Sequence, residues 1–120
     1  MSRAFLVSWD EDELSQQKEM FSDAGWQALG AVGKSETVFA SIQSEKPDVV
    51  VVFLNTNPDA GKAVAKLLQK TAETTYIPLV FADGDRQTVG EFDRLFSRAL
   101  FTTSDGIIAD IENFRTTHTV

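Results

Sequence analysis

Apolar positions along this chain switch between short unbroken runs and spaced sets with helical periodicity. Residues 4–9, AFLVSW, form a run that stops at Asp10, Glu11, Asp12 and Glu13, which predicts a first strand and the loop after it. Leu14, Phe21 and Ala24, with Met20 beside them, share one helical face and Gly25 supplies the stop, as expected for a first helix. Residues 26–33, WQALGAVG, predict a second strand. Val38, Phe39 and Ile42 mark a second helix that begins after Ser35 and ends near Lys46 and Pro47. Val49 to Phe53 is an unbroken β-branched run, the form taken by a strand covered on both faces.

The same alternation continues to the end of the chain. Beyond Asp59-Ala60-Gly61, the positions Val64, Leu67, Leu68 and Ala72 predict a third helix reaching about Glu73. Leu79 to Ala82 is a fourth strand closed by the turn formers Asp83, Gly84 and Asp85. Val89, Phe92, Phe96 and Ala99 trace a fourth helix, Leu100 to Thr103 a short fifth strand, and Ile107, Ile108, Ile111 and Phe114 a fifth helix, with residues 116–120 as a frayed tail. Repeated βα units require a parallel sheet with helices on both faces, because the crossovers are right-handed and must cover it. The predicted fold is α/β: a flavodoxin-like, doubly wound, five-stranded sheet in the order 2-1-3-4-5, as one domain over residues 1–120.

Composition narrows the functional classes. The chain has 120 residues of which 42% are hydrophobic, enough for one core and not for two. A formal charge of −7 argues against nucleic acid and against an anionic membrane surface, since affinity for either is built on clustered Lys and Arg. With no cysteine, thiolate catalysis, disulfides and Cys-based zinc sites are excluded. No apolar run is long enough to span a bilayer and no signal-peptide pattern opens the chain, so a cytoplasmic protein is expected. Asp59-Ala60-Gly61-Lys62 lacks the spacing and the hydroxyl of a phosphate loop, and His118 sits alone in the tail.

Chemistry in open α/β folds is placed at the carboxyl ends of the central strands, which directs attention to residues 53–61. The segment PDVVVVFLNTNPDAGKAVAKLL, with Pro47 and Asp48 before the strand and Gly61 eight residues past its end, resembles the third strand, loop and third helix of response-regulator receiver domains; IPLVFAD resembles their fourth strand. The resemblance extends over the whole chain. It implies a phosphoryl-accepting aspartate after strand three, an acidic pair for a divalent cation, and a hydroxyl and a lysine to neutralise the phosphoryl oxygens. Position by position, the nucleophile falls on Phe53, the acidic pair on Trp9 and Asp10, the hydroxyl on Asp83, and the lysine on Thr103 or Ser104. No lysine follows Lys70, so that loss holds under any alignment. The proline that usually follows the lysine is missing as well. The resemblance is therefore to a degenerate receiver, a pseudo-receiver without the phosphoacceptor aspartate.

Two further readings concern surfaces. Asp10, Glu11, Asp12, Asp59, Asp83 and Asp85 are expected at one carboxyl edge. They either cap helices, Asp10 or Asp12 the first, Asp59 the third and Asp85 the fourth, or form an acidic mouth for a divalent cation or small ligand. Asp10, Asp12 and Asn55 are the cation ligands on offer; no cofactor and no metal is expected. Phe53 reads as a strand-end hydrophobe packed on Trp9 or Ala82. The interaction face that the resemblance implies, helix four, strand five and helix five, carries Phe92, Arg94, Phe96, Arg98 and Phe101, with Leu95 and Ile108, and the two arginines are expected one turn apart. The expected function is a stand-alone, phosphorylation-independent signalling or protein–protein interaction module without enzymatic activity, docking a protein partner or a second copy through that face. The competing reading is cation or ligand binding at the acidic mouth.

Overall fold

In the computed structural model, which describes residues 2–55 and 57–118 and side chains as far as residue 114, strands and helices alternate along the chain. The strands are β1 Arg3–Val7, β2 Gln27–Ala31, β3 Val49–Phe53, β4 Leu79–Ala82 and β5 Leu100–Thr102. The helices are α1 Glu11–Asp23, α2 Ser35–Glu45, α3 Pro58–Lys70, α4 Arg86–Leu95 and α5 Ile107–His118. Every strand pair is parallel and the sheet runs β2-β1-β3-β4-β5. This is the flavodoxin-like doubly wound order that the apolar pattern predicts. No helix among the described residues is long and apolar enough to cross a membrane.

The strand β3 organises both layers. All five of its residues are buried, and side chains alternate between faces with a period of two. Val49, Val51 and Phe53 join Leu6, Val80 and Ala82 beneath Leu14 and Phe21 of α1 and Ile107 and Ile111 of α5. Val50 and Val52 join Phe5, Val7 and Phe81 on the opposite face, covered by Val38 and Ile42 of α2, Val64 and Leu68 of α3 and Phe92 of α4. The interval from Phe53 to Gly61 follows from this packing: a Cβ on Gly61 would lie 2.9 Å from Val52 Cγ1, so α3 lies against β3 only because position 61 has no side chain.

The starts of α1, α3 and α4 follow capping chemistry. Asp10 Oδ1 accepts from the backbone N–H groups of Asp12 and Glu13 at 2.9 and 3.1 Å, and three acids fill the first turn of α1, where the helix dipole favours them. Asp85 caps α4 by accepting from Thr88 N at 2.7 Å; that N–H, then the Thr88 hydroxyl, holds its carboxyl below the usual range. The cap of α3 is Asn57, accepting from Ala60 N at 3.2 Å, with Pro58 at the first helical position. Asp59, expected to cap this helix, lies in its first turn instead.

Element ends depart from the periodicity where side chains intervene. β1 stops at Val7, so Ser8 and Trp9 belong to the loop. Trp26 precedes β2 and packs edge-on against Phe21, with ring centroids 5.9 Å apart. α3 ends at Lys70 rather than Glu73, because the hydroxyls of Thr71 and Thr74 donate to the carbonyls of Leu67 and Leu68 at 2.9 and 2.7 Å and draw the chain into turns. α4 ends at Leu95, leaving Phe96 and Ala99 outside it. α5 continues to His118, so residues 116–118 are helical where fraying was expected; 119 and 120 lie outside the described residues.

Two glycines separate packing from backbone entropy. Gly90 is exposed in mid-helix and a Cβ there meets nothing within 4 Å. Gly90→Ala is expected to stabilise the domain by about 0.5–1 kcal/mol. Gly61→Ala is expected to destabilise it by about 1–3 kcal/mol through overpacking on Val52. Urea unfolding with an unchanged m-value measures both, and an unshifted midpoint for Gly61→Ala would contradict the close approach of α3.

Candidate functional site

The positions that the sequence singles out for phosphoryl chemistry lie at the carboxyl ends of β1, β3, β4 and β5 or in the loops that follow them. Phe53, on which the resemblance places the nucleophile, ends β3 with 0% of its surface exposed. Its register neighbour on β4 is Ala82 and it belongs to the apolar layer under α1 and α5. Trp9 lies on the opposite layer, half-buried, with its indole N–H donating to the Gly33 carbonyl at 2.8 Å. Of the two neighbours expected for Phe53, Ala82 is the one beside it.

A carboxylate that the sequence reading passed over occupies the loop after β1. Glu13 Oε1 accepts from the Ser8 hydroxyl at 2.7 Å, and Glu13 Oε2 accepts from the Asn55 amide at 2.6 Å. Ser8 Oγ in turn accepts from Asp10 N at 3.1 Å. The spacing Asp10-x-x-Glu13 is that of a capping box, here with Ser8 relaying the return contact from Glu13 to the cap residue. That spacing, and a lone serine in an otherwise apolar run, were the signals available in the sequence.

A second tie joins the ends of β4 and β5. Asp83 adopts φ 65, a left-handed conformation that Asp tolerates better than most residues, and Gly84 follows at φ 92. The turn aims the Asp83 carboxylate at Ser104, whose N–H and hydroxyl donate to it at 3.0 and 2.6 Å. Asp83 N donates to the Thr102 carbonyl at 2.9 Å. Thr103 is exposed and takes no part in this contact; its carbonyl accepts from Gly106 N. Where the resemblance implies a hydroxyl facing a lysine across the site, the two positions carry a carboxylate and a hydroxyl bonded to each other.

The acids of the edge therefore do not converge. Asp10 and Asp85 cap helices, Glu13 bridges Ser8 and Asn55, Asp83 holds Ser104, and Asp12 and Asp59 are exposed. Among the described residues no group of three or more His, Cys, Asp or Glu side chains is arranged to hold a metal ion. Of the cation ligands considered, Asp10 and Asn55 are already engaged and Asp12 stands apart.

The residues expected on the partner face divide between core and surface. Phe92 and Phe96 are buried, and Phe101 is half-buried, stacked at 26° on Phe81 with centroids 5.4 Å apart. Phe81 meets Phe92 and Phe96 at 5.0 and 5.3 Å. Phe81 of β4 gathers the three rings around it, and aromatic pairs contribute about 0.5–1.5 kcal/mol each beyond area burial. Arg94 and Arg98 are exposed, but Arg98 lies past the end of α4, so the two do not share a helical face.

No protein-family model and no curated protein matches the chain. Solved structures do. A sensor protein from Polaromonas sp. JS666 superposes with a TM-score of 0.79 at 14% identity, covering 97% of both chains. A response regulator from Desulfuromonas acetoxidans gives 0.77 at 18% identity, covering 98% of this chain and 99% of its own. A chemotaxis response regulator of Vibrio cholerae gives 0.77 at 13% identity, covering 95% of this chain and 98% of its own. At such identities the likeness is one of shape, and the shape is that of response-regulator receiver domains.

Proposed function

We propose that this domain uses the receiver fold as a docking module and does not accept a phosphoryl group. The observation that carries the reading is Phe53: the nucleophile position holds a ring with no oxygen, sealed in the apolar layer beneath α1 and α5. Phosphoryl transfer to a protein side chain needs an activated nucleophile and cationic groups to meet the developing charge. Here Asp83 presents a carboxylate where a hydroxyl would bind the phosphoryl oxygens, Ser104 satisfies it, and no lysine follows Lys70. The carboxylates that remain at the edge have other work: Asp10 is a helix cap and Glu13 bridges two loops. What the fold still offers is its surface, and the exposed part of α4 and its C-terminal turn presents Arg94, Leu95 and Arg98.

Incubation with acetyl phosphate and Mg²⁺ followed by intact-mass measurement is expected to give an unmodified protein. A stable gain of about 80 Da, one phosphoryl group, would overturn the reading. The variant Phe53→Asp separates a missing nucleophile from a filled site. It is expected to destabilise the domain by about 3 kcal/mol or more, since it leaves a cavity and an unpaired carboxylate in an apolar layer, and to remain unphosphorylated. Thermal unfolding beside the mass measurement checks it; a Phe53→Asp variant that melts like the parent and gains a phosphoryl group is the contrary result.

A further inference from the structure

At the amino edge of the sheet, opposite the loops described above, the start of β4 and the turn after α4 enclose a cleft of about 460 Å³. Gln69, Tyr76, Pro78, Leu79, Leu95 and Arg98 are among the residues that line it. Tyr76 and Leu95 are 69% and 46% exposed, two of the three large hydrophobic side chains most open to solvent among the described residues. A cleft whose walls are largely polar but carry the exposed side chains of Tyr76 and Leu95 suits a segment that combines charged groups with one apolar side chain.

Charge distinguishes this cleft from the rest of the surface. The protein carries a formal charge of −7, yet α3 has Lys62, Lys66 and Lys70 at intervals of one turn against the single acid Asp59. Lys62 pairs across the seam with Glu91 of α4. Lys66 lies one turn beyond Lys62 on α3 and Arg94 about one turn beyond Glu91 on α4, so both continue the seam that the Lys62–Glu91 pair marks. The carboxyl of Glu91 is held below the usual range by Lys62 first, and also by the charges of Arg94 and Lys66. Gln69 and Arg98 then continue the line from these residues into the cleft. Lys66, Arg94 and Arg98 are exposed and make no salt bridge among the described residues.

We propose that the α3–α4 seam and its cleft dock an acidic segment of a partner protein, with carboxylates on Lys66, Arg94 and Arg98 and one apolar side chain seated beside Tyr76 and Leu95. The assignment takes the domain to be a docking module, as proposed above, and moves the contact from the α4–β5–α5 face to the seam on the other side of α4. Complementary charge selects the partner's chemistry, because a carboxylate-rich segment is attracted locally while a basic one is repelled.

The test is an NMR titration of the ¹⁵N-labelled protein with a short synthetic peptide of glutamates flanking one phenylalanine. Two control peptides replace the glutamates by lysine or the phenylalanine by alanine. Expected are amide shifts gathered at Lys66, Tyr76, Leu95 and Arg98, and a Kd that rises about ten-fold or more in Lys66→Glu/Arg98→Glu and with the alanine peptide. Binding should weaken between roughly 50 and 300 mM salt, where screening of exposed charges is strong. No binding, shifts elsewhere, or equal binding of the lysine peptide overturns the proposal. So does a concentration-dependent dimer in sedimentation that Arg98→Glu abolishes, which would assign the cleft to a second copy. The acetyl phosphate measurement on the same sample reads the phosphoryl question alone: a protein that is phosphorylated and still binds at the cleft loses only the earlier reading.

Discussion

Two-sided burial of β3 is the constraint from which most of this structure follows. A strand covered on both faces has no solvent side, so each of its residues must find an apolar layer, and Val49 to Phe53 do so alternately. Full burial of such side chains contributes about 1.5–3 kcal/mol each. That contribution fixes the register, since a one-residue slip would exchange the two layers. It also fixes the distance of approach of α3, which Gly61 permits, and through α3 the seam against α4 that Lys62 and Glu91 close.

The same alternation decides what the end of β3 can do. Phe53 is the last residue of the strand and falls on the α1/α5 layer, beside Ala82 and away from solvent. With a ring there, the neighbouring polar groups cannot be satisfied by a ligand held at that position, and buried or half-buried polar groups require partners. They find them locally. Ser8, Glu13 and Asn55 tie the loop after β1 to the loop after β3, and Asp83 and Ser104 tie the loop after β4 to the loop after β5. Each tie is charge-assisted, and hydrogen bonds of that class are stronger than neutral ones.

The sequence carried the fold because period-two and period-3.6 patterns report burial directly, and five such pairs with right-handed crossovers leave a handful of topologies, of which the doubly wound sheet is one. It carried Phe53 for the same reason, as the last member of an apolar run. It did not carry Glu13 or Ser104, whose roles depend on where separate loops meet; neither the distance from residue 13 to residue 55 nor that from 83 to 104 is written locally. The aromatic residues of α4 were open to two readings, core or partner face, for a related reason. Helical spacing marks Phe92 and Phe96 as one stripe, but whether a stripe meets the sheet or a partner is settled by Phe81 on β4, which lies outside the helix. The arginines were misplaced because Phe96 turns inward and ends α4, and no breaker residue announces that stop.

An internally satisfied carboxyl edge bears on how such a domain can carry information. A ligand shifts a protein between states only by its difference in affinity for them. Groups already paired with one another offer an incoming phosphoryl group less, because binding it would first require breaking Asp83 from Ser104 and leaving a carboxylate beside a dianion. Under the docking reading, the domain therefore presents one arrangement of its surface whatever the phosphorylation state of its surroundings. Its influence on a partner then scales with how much of it is present and how tightly it binds. Selectivity has to reside in the contact itself, in the charge and shape of the surface, since the edge where receiver-fold chemistry is placed is occupied with holding its own loops together.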